Sequence, residues 1–374
     1  MSGMFSWIKG YRLKGLPLVL LLLMAGLMCL GVLAVGSAEP SLQKRQLAGA
    51  AAGLLLALFF SMIPYRRWME FAWPVYGACL VLLLLTRLMG DEAGGASRWV
   101  DIGILRFQPS EIVKIGMLLF FAAFFERGED AKSQWRLFLA GTGLAGVLLV
   151  LILLQPDLST TIVTGASYLA VLFLSGIRLR ILIGSFLACV PIAAAGTWIL
   201  SQFGIELFGS YQLTRILAWL NPQEYAQESY QQQNAVMAIG SGRLSGKGLY
   251  NEGPLSVKNG NYIPEPQTDF IMAVIGEELG FLGSAAVILL LFSICLTCIA
   301  IGRRASDTAG QLYCAGFGFL VGIQGFVNIC VASGLMPNTG LTLPFVSYGL
   351  SSLLALCIGA GIVINVGADR REGR

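Results

Sequence analysis

The stretch YIPEPQTDFIMAVIGEELGFLGSAAVILLLFSICLTCIA, residues 262–300, passes at Asp269 from a polar segment into a long apolar run. As a helix, that run would extend about 46 Å at 1.5 Å per residue, which exceeds the roughly 30 Å thickness of a bilayer core. We therefore expect a membrane helix that bends, most readily at Gly280 or Gly283. The part before the bend is expected to be partly exposed, together with its two acidic side chains, Glu277 and Glu278.

Apolar runs long enough to enter a bilayer recur along the whole chain. Hydrophobic residues make up 56% of the 374 residues and charged residues only 12%, about half the charged share of soluble domains. We predict an all-α polytopic membrane protein with about ten transmembrane helices, forming one domain over residues 1–374. The spans are expected to begin near residues 16, 47, 72, 110, 137, 159, 182, 270, 311 and 350, and a long extracytoplasmic loop over 203–268 joins the seventh to the eighth.

The charges between the spans set the predicted orientation. Basic residues collect on one side when the N-terminus is placed in the cytoplasm, as the positive-inside rule requires, and an even number of spans places both termini there. The net charge of +4 then reflects loop topology and not nucleic-acid binding. Four polar segments fall together on the outer face: residues 90–109, 155–157, 203–268 and 334–348.

Two residue types limit the possible chemistry. The chain contains no histidine, which excludes Ser-His-Asp triads, histidine bases and most zinc sites. Any proton transfer must therefore use a carboxylate, a lysine or a tyrosine. All 8 cysteines fall within apolar runs, so we expect no disulfides.

Asp269 is the strongest catalytic candidate. An ionisable group at the boundary between water and lipid costs free energy unless it is solvated, paired or used, and it therefore indicates a functional site. A structural alternative stays open, because Asp and Thr are preferred helix N-caps. Thr268 or Asp269 could simply cap the helix that follows.

A second candidate is the segment SRWVDIGILRFQPSEIVK, residues 97–114. Pro109 and Glu111 suit the first turn of a helix, and Arg106 and Lys114 place two cations near its N-terminus. Backbone N–H groups and fixed cations favour the same anion, so we interpret this segment as a seat for a diphosphate. The alternative is that Lys114 snorkels, with its chain along apolar surface and its ammonium group in the interface.

Polar residues at the edge of or within other apolar runs give weaker signals. Asp157 is expected to cap the sixth span, with a contribution to the site left open. Gln324 and Asn328 lie one helical turn apart in the ninth span, which indicates a bundle interior or a wet cavity. Hydrogen bonding between helices and contact with substrate explain this pair equally well.

The long outer loop contains two segments of interest. Residues 211–220 have the apolar spacing of a helix that lies on the membrane. The glycine run at 240–248 allows the backbone to approach a phosphate or a sugar, although mobile turns explain the glycines equally well. Its spacing excludes a P-loop, and with it a nucleotidase.

Five strings in order along the chain resemble the SEDS family (shape, elongation, division and sporulation; RodA, FtsW and SpoVE): RFQPSEIVK, QPDLSTT, IGSGRLSGKG, PEPQTDFIMAVIGEELG and LTLPFVSYGLSS. The resemblance implies a ten-span peptidoglycan glycosyltransferase that polymerises lipid II, a polyprenyl-diphosphate-linked sugar, at the outer face of the bacterial cytoplasmic membrane. It also implies a class B penicillin-binding protein transpeptidase and other elongasome or divisome membrane proteins as partners. A divalent cation, Mg²⁺ or Mn²⁺, supports the activity of the family, and its ligands are not indicated by the motifs.

The resemblance implies that Asp269 is the essential catalytic residue. The motifs and the outer-face residues together predict a substrate-binding set: Trp99, Arg106, Gln108, Ser110, Glu111, Lys114, Asp157, Arg215, Arg243, Lys247, Asn328 and Ser347. The sequence departs from the family twice, with Gln267 in place of a usual histidine and Leu350 in place of a usual glycine. The first departure excludes a mechanism that depends on that histidine.

We hypothesise that Asp269 acts as a general base on the 4-hydroxyl of an incoming lipid II sugar. Arg106 and Lys114 would neutralise the departing polyprenyl diphosphate. Two other classes of function stay open. A flippase for lipid-linked precursors needs a polar path to the cytoplasmic side, and a noncatalytic scaffold would only stimulate a partner enzyme.

Overall fold

The computed structural model describes residues 15–89, 91–93, 96–101, 106–127, 134–155, 157–185, 210–251, 253, 256 and 262–369. These residues are mostly helical, as predicted. In chain order the helices are α1 (Leu16–Ala38), α2 (Pro40–Met62), α3 (Tyr65–Glu70), α4 (Ala72–Met89), α5 (Pro109–Arg127), α6 (Gln134–Leu153), α7 (Leu158–Leu174), α8 (described over 179–185), α9 (Ser210–Leu220), α10 (Ala226–Ser241), α11 (Ile271–Gly302), α12 (Thr308–Ala332) and α13 (Leu350–Ala368).

The apolar helices confirm a polytopic membrane architecture. Within the described residues, 6 helices are long and apolar enough to cross a bilayer, namely α1, α2, α6, α11, α12 and α13. The apolar stretches of α4 and α7 are shorter, and α5 includes charged residues at both ends. These helices and α8 begin close to the ten expected positions, although α2 begins earlier than predicted because Pro40 starts it with a polar first turn.

The segment after α4 contains a small sheet that the helical prediction did not include. Strands β1 (Asp91–Ala93), β2 (Ala96–Asp101) and β3 (Arg106–Phe107) pair in that order, and both pairings are antiparallel. β3 leads directly into α5 through Gln108. The sheet thus fixes the entry of the chain into α5.

Some expectations from the sequence fall outside the described residues. The seven cysteines that the structure describes are free thiols, as predicted. The eighth cysteine and several basic residues used to set the orientation lie outside the described ranges: Cys189, Lys9, Arg12, Lys14, Lys132, Arg370, Arg371 and Arg374.

Polar side chains tie α3 to the ends of α12 and α13, and α13 to the end of α2, at one edge of the bundle. Arg66 forms ion pairs with Asp307 at 3.0 Å and with Asp369 at 3.5 Å. The Tyr65 hydroxyl donates to Asp307 at 2.6 Å, and Asn365 donates to the carbonyl of Ser61 at 2.6 Å. This is the edge that the positive-inside rule assigns to the cytoplasm.

The long helix α11 is broken at Gly280, one of the two predicted positions. Gly280 has φ 65° and ψ −158°, which only glycine adopts readily, whereas Gly283 stays helical. The prediction that the preceding part is partly exposed is wrong, because Glu277 and Glu278 are each only 2% exposed. We call residues 271–279 the α11 arm; it packs against α1 and α10 inside the bundle.

Candidate active site

Asp269 lies immediately before α11 and does not occupy its N-cap. The helix begins at Ile271, and Phe270 holds the cap position without a side-chain hydrogen bond. The Thr268 hydroxyl donates to the carbonyl of Glu265 at 2.9 Å. Phe270, and not Thr268 or Asp269, therefore holds the N-cap position of α11. Asp269 itself is half-buried, and its carbonyl accepts a hydrogen bond from the Asn328 amide at 2.8 Å.

Arg215 brings a cation to the same place from the long outer loop. It lies on α9, and its Nη1 atom donates to the carbonyl of Asn338 at 3.1 Å. A Cβ atom placed on Gly340 would lie 3.3 Å from Asp269 Oδ2 and 3.9 Å from Arg215 Nη1. The carboxylate and the guanidinium group thus border the same point of the loop before α13.

A buried ion pair lies below this point. The Lys114 ammonium group is 2.9 Å from Glu111 Oε1 and donates to Gln324 Oε1 at 2.9 Å. The Lys114 side chain is only 1% exposed, so the snorkelling interpretation is wrong. An ammonium group has three N–H donors, of which Glu111 and Gln324 each accept one.

α12 connects this ion pair to the loop that carries Gly340. The Gln324 amide donates to the carbonyl of Thr342 at 3.0 Å, and the Asn328 amide donates to the carbonyl of Leu341 at 2.6 Å. The Thr342 and Ser352 hydroxyls are 3.1 Å apart. Gln324 and Asn328 therefore face the bundle interior, as predicted, and they hold the loop in position beside Asp269.

Gln108 and Asp157 join the N-terminal ends of three helices. The Gln108 side-chain amide donates to Asp157 Oδ2 at 3.1 Å, and the Gln108 backbone N–H donates to the Ser351 hydroxyl at 3.2 Å. Asp157 Oδ1 also accepts from the Thr160 N–H at 3.1 Å, which confirms its predicted role as the N-cap of α7. The two residues link the starts of α5, α7 and α13 around the site.

Several buried polar atoms in this region have no hydrogen-bond partner among the residues that the structure describes. They are Ser110 Oγ, Glu111 Oε2, Asn328 Oδ1 and Thr339 Oγ1. A buried polar group without a partner costs free energy and calls for an explanation. Their concentration around Asp269 and Lys114 supports a site for a polar, hydrogen-bonding ligand.

Other predicted site residues lie apart from this cluster. Lys247 forms an ion pair with Glu277 on the α11 arm at 2.8 Å, and Arg243 is exposed. Ser347 is buried, and its hydroxyl accepts from the Leu343 N–H at 2.8 Å within its own loop. Trp99 is half-buried in β2.

The backbone of Arg106 pairs with Asp101 in the small sheet, while its side chain lies outside the described residues. Three residues that the predicted site set did not include also belong to the site: Gln324, Gly340 and Thr342. In the sequence, Gln324 is indicated by the polar pair one turn apart in α12. Gly340 and Thr342 are indicated by the loop rich in glycine and threonine.

Comparison with known proteins assigns the chain to a family. The family model described as cell cycle protein, FtsW/RodA/SpoVE, matches residues 14–372. A probable peptidoglycan glycosyltransferase FtsW from Escherichia coli is 34% identical, over 99% of this chain and 92% of the relative. The relative of the same name from Coxiella burnetii is 35% identical, over 91% and 93% of the two chains.

Solved structures agree with this assignment. A chain from a study of the coordination of polymerisation and crosslinking by a peptidoglycan synthase complex has a TM-score of 0.80 and 31% identity, over 97% of this chain and 99% of that one. The rod shape determining protein RodA of Thermus thermophilus has a TM-score of 0.70 and 30% identity, over 97% and 98%. The chain belongs to the FtsW/RodA/SpoVE family, and the expectation of a SEDS-family peptidoglycan glycosyltransferase is confirmed.

Proposed function

We propose that the protein polymerises lipid II at the outer face of the bacterial cytoplasmic membrane, with both termini in the cytoplasm and Asp269 as the general base. The observation that carries this proposal is the meeting of Asp269, Arg215 and Asn328 beside Gly340. Asn328 lies 20 residues along α12 from Thr308, or about 30 Å at 1.5 Å per residue. That distance supports a position of the carboxylate at the outer boundary of the hydrocarbon core.

The proposed step transfers a glycan chain between two lipid-linked sugars. Asp269 accepts the proton from the 4-hydroxyl of the incoming lipid II as that oxygen bonds to the anomeric carbon of the growing chain. The bond from the anomeric carbon to the diphosphate oxygen breaks, and polyprenyl diphosphate leaves with the electron pair.

The cations of the site match the charge that develops on the leaving group. Arg215 of α9 borders Gly340 together with Asp269, and Lys114 lies about one turn deeper, beside Gln324. Fixed cations in a site of low dielectric stabilise developing negative charge more strongly than cations in water. We assign Arg215 and Lys114 to the diphosphate, with Gln108, Ser110 and Asn328 as candidate hydrogen-bonding groups for the sugars.

A divalent cation fits this site only with help from the substrate. The described residues contain no group of three or more His, Cys, Asp or Glu side chains that could hold a metal ion. Magnesium is commonly held by one or two carboxylates together with substrate phosphates. Asp269 and the lipid diphosphate would form such a set, and the cation would supply further positive charge to the leaving group.

We also propose a membrane partner, a class B penicillin-binding protein transpeptidase of the elongasome or divisome. This proposal is supported by the similar chain that was solved as part of a peptidoglycan synthase complex. Copurification from native membranes, followed by identification of the bound protein, tests it. Recovery of the chain without any transpeptidase would contradict it.

A flippase is the second candidate, and α5 argues against it. The segment 115–125, between Lys114 and Glu126, contains only apolar residues and glycine. A polar headgroup crossing the bilayer needs polar groups along its path, and α5 offers none in its inner half. The polar residues of the site are gathered at the outer end.

Polymerisation of fluorescent lipid II by the purified protein, alone and with its copurifying transpeptidase, tests the proposed function. The wild type is expected to make glycan polymer and Asp269→Asn to make none, while thermal unfolding in detergent shows that the variant is folded. Undiminished polymer from Asp269→Asn would exclude the base role. Translocation of lipid II in vesicles without polymer would favour the flippase.

A further inference from the structure

The break in α11 is closed by backbone hydrogen bonds from another part of the chain. At Gly280 the helix loses its own hydrogen bonds, and residues 242–248, which we call the splint, replace them. Two bonds run from α11 to the splint and two run back. They are Phe281 N–H to Arg243 O at 2.8 Å, Leu282 N–H to Leu244 O at 3.1 Å, Lys247 N–H to Glu277 O at 3.0 Å and Gly248 N–H to Glu278 O at 2.9 Å.

The splint requires glycines because its backbone lies very close to the backbone of α11. A Cβ atom on Gly242 would overlap the carbonyl oxygen of Gly276, and one on Gly246 would overlap that of Glu278. Gly246 also has φ 78°, which side chains with a Cβ rarely adopt. The glycine run therefore lets two backbones touch, and it does so against α11.

One ion pair joins the splint to the α11 arm. Lys247 Nζ is 2.8 Å from Glu277 Oε1, and the Glu277 side chain is only 3% exposed while that of Lys247 is 31% exposed. Removing one partner of a buried ion pair leaves an uncompensated charge, which is strongly unfavourable. Lys247 thus holds the arm by a contact that a neutral side chain cannot replace.

The position of Asp269 depends on this break. Gly325 of α12 packs beside Leu291 of α11, because a Cβ atom on Gly325 would lie 3.1 Å from Leu291 Cδ1. Asn328 lies about one turn further along α12 and is therefore level with about residue 288 of α11. A straight α11 would carry Asp269 roughly 28 Å beyond that level at 1.5 Å per residue. Instead the carbonyl of Asp269 is 2.8 Å from the Asn328 amide. The break therefore turns the arm back into the bundle.

We propose that the splint sets the angle of the α11 arm and so places Asp269 in the site, and that Lys247 is a positioning residue acting through Glu277. The inference rests on the proposed function, because it concerns the residue that performs the reaction. It gives the glycine run a role that differs from binding a phosphate or a sugar. Lys247 then affects the rate of the chemical step and not the affinity for substrate.

The test is a double-mutant cycle on polymerisation of fluorescent lipid II, with kcat and KM measured separately. A misplacement of about 1 Å can cost 100-fold in rate, so Lys247→Met is expected to lower kcat by about 10- to 100-fold and to change KM less than twofold. Adding Glu277→Gln removes the carboxylate that Lys247 contacts and is expected to restore part of kcat. Lys247→Arg keeps the ion pair and is expected to retain most of the wild-type kcat.

Lys44→Met is the matched control, because Lys44 is an exposed lysine near the outer start of α2, and it should leave kcat and KM unchanged. A rise in KM alone in Lys247→Met would overturn the proposal in favour of substrate binding. Additive losses in the double variant, or an unchanged kcat in Lys247→Met, would also overturn it. Absence of polymer from the wild type would instead contradict the proposed function.

Discussion

Asp269 and Arg215 come from segments that are far apart in the sequence and border the same point, the position that a Cβ atom on Gly340 would occupy. Their Oδ2 and Nη1 atoms would lie 3.3 Å and 3.9 Å from a Cβ atom at that point. The side of α9 away from the site is apolar and exposed, through Leu213, Ile216, Leu217 and Leu220. An amphipathic helix of this kind suits the membrane surface, where the headgroup of a lipid-linked sugar would lie.

Arg215→Met is expected to reduce kcat/KM for lipid II by about 100-fold, because removal of one charge-stabilising group commonly costs 100- to 1000-fold. Arg215→Lys keeps the charge but loses the planar guanidinium group, which presents its N–H donors in a fixed geometry. Its kcat/KM should lie between those of Arg215→Met and the wild type. Polymer formation over a range of lipid II concentrations measures both. Arg178→Met, at an exposed arginine on the opposite face, serves as the control. Equal activity in Arg215→Met and the wild type would remove Arg215 from the site.

Gly340→Ala is expected to lower kcat about tenfold without loss of folded protein, because backbone strain at such a position costs only about 1–3 kcal/mol. The new methyl group would press against Asp269 Oδ2, and Gly340 has φ 72°. Gly146→Ala, in α6 where a Cβ meets nothing within 4 Å, is the matched control. Comparable kcat for the two alanine variants would show that the loop does not constrain the carboxylate.

Lys114→Met is expected to destabilise the protein by about 3 kcal/mol, because it strands the Glu111 carboxylate in the bundle. The double variant with Glu111→Gln should be more stable than Lys114→Met, since no charge is left unpaired. Thermal unfolding in one detergent ranks the variants. A double variant that unfolds below the single one would mean that Glu111 is stabilised by other groups.

Tyr65→Phe is expected to lower stability by about 1–2 kcal/mol, the size of a hydrogen bond to a charged group, and to leave kcat unchanged. The Tyr65 hydroxyl donates to Asp307 at 2.6 Å, far from Asp269. Burial, together with this contact, raises the pKa of Tyr65 above its ordinary value of 10.0.

A group whose pKa is raised by folding stabilises the protein fully below its unfolded pKa. The contribution of Tyr65 should therefore be constant up to about pH 10 and decline at higher pH, as the phenol of the unfolded chain ionises. Unfolding of wild type and Tyr65→Phe at several pH values measures this. A gap between the two proteins that widens above pH 10 would contradict the assignment.

Much of the architecture could be predicted because a bilayer imposes simple rules on a sequence. The length of the apolar runs located the spans. The free-energy cost of an unpaired carboxylate at the membrane boundary pointed to Asp269. The polar pair Gln324 and Asn328 pointed to the interior for the same reason. The asymmetry of loop charges gave an orientation with both termini in the cytoplasm, which stays a prediction.

The contacts that could not be predicted join residues far apart in sequence. The sequence leaves snorkelling open for Lys114, because its partner Gln324 lies 210 residues away. The α11 arm was expected to be exposed because the sequence shows that a helix breaks at glycine but not the direction it then takes. The sequence predicted that Lys247 binds substrate for the same reason. Glu277 contacts Lys247 only because the α11 arm turns back into the bundle.

The splint also has a consequence for how the nascent chain assembles. The ribosome makes residues 242–248 before α11, so the groups that close the break are already present when the arm emerges. Asn328, which holds the carbonyl of Asp269, follows 59 residues later, and the Gly340 loop and α13 follow that. The break can thus form as soon as α11 is synthesised, whereas the proposed catalytic centre is complete only after the Gly340 loop and α13 have followed.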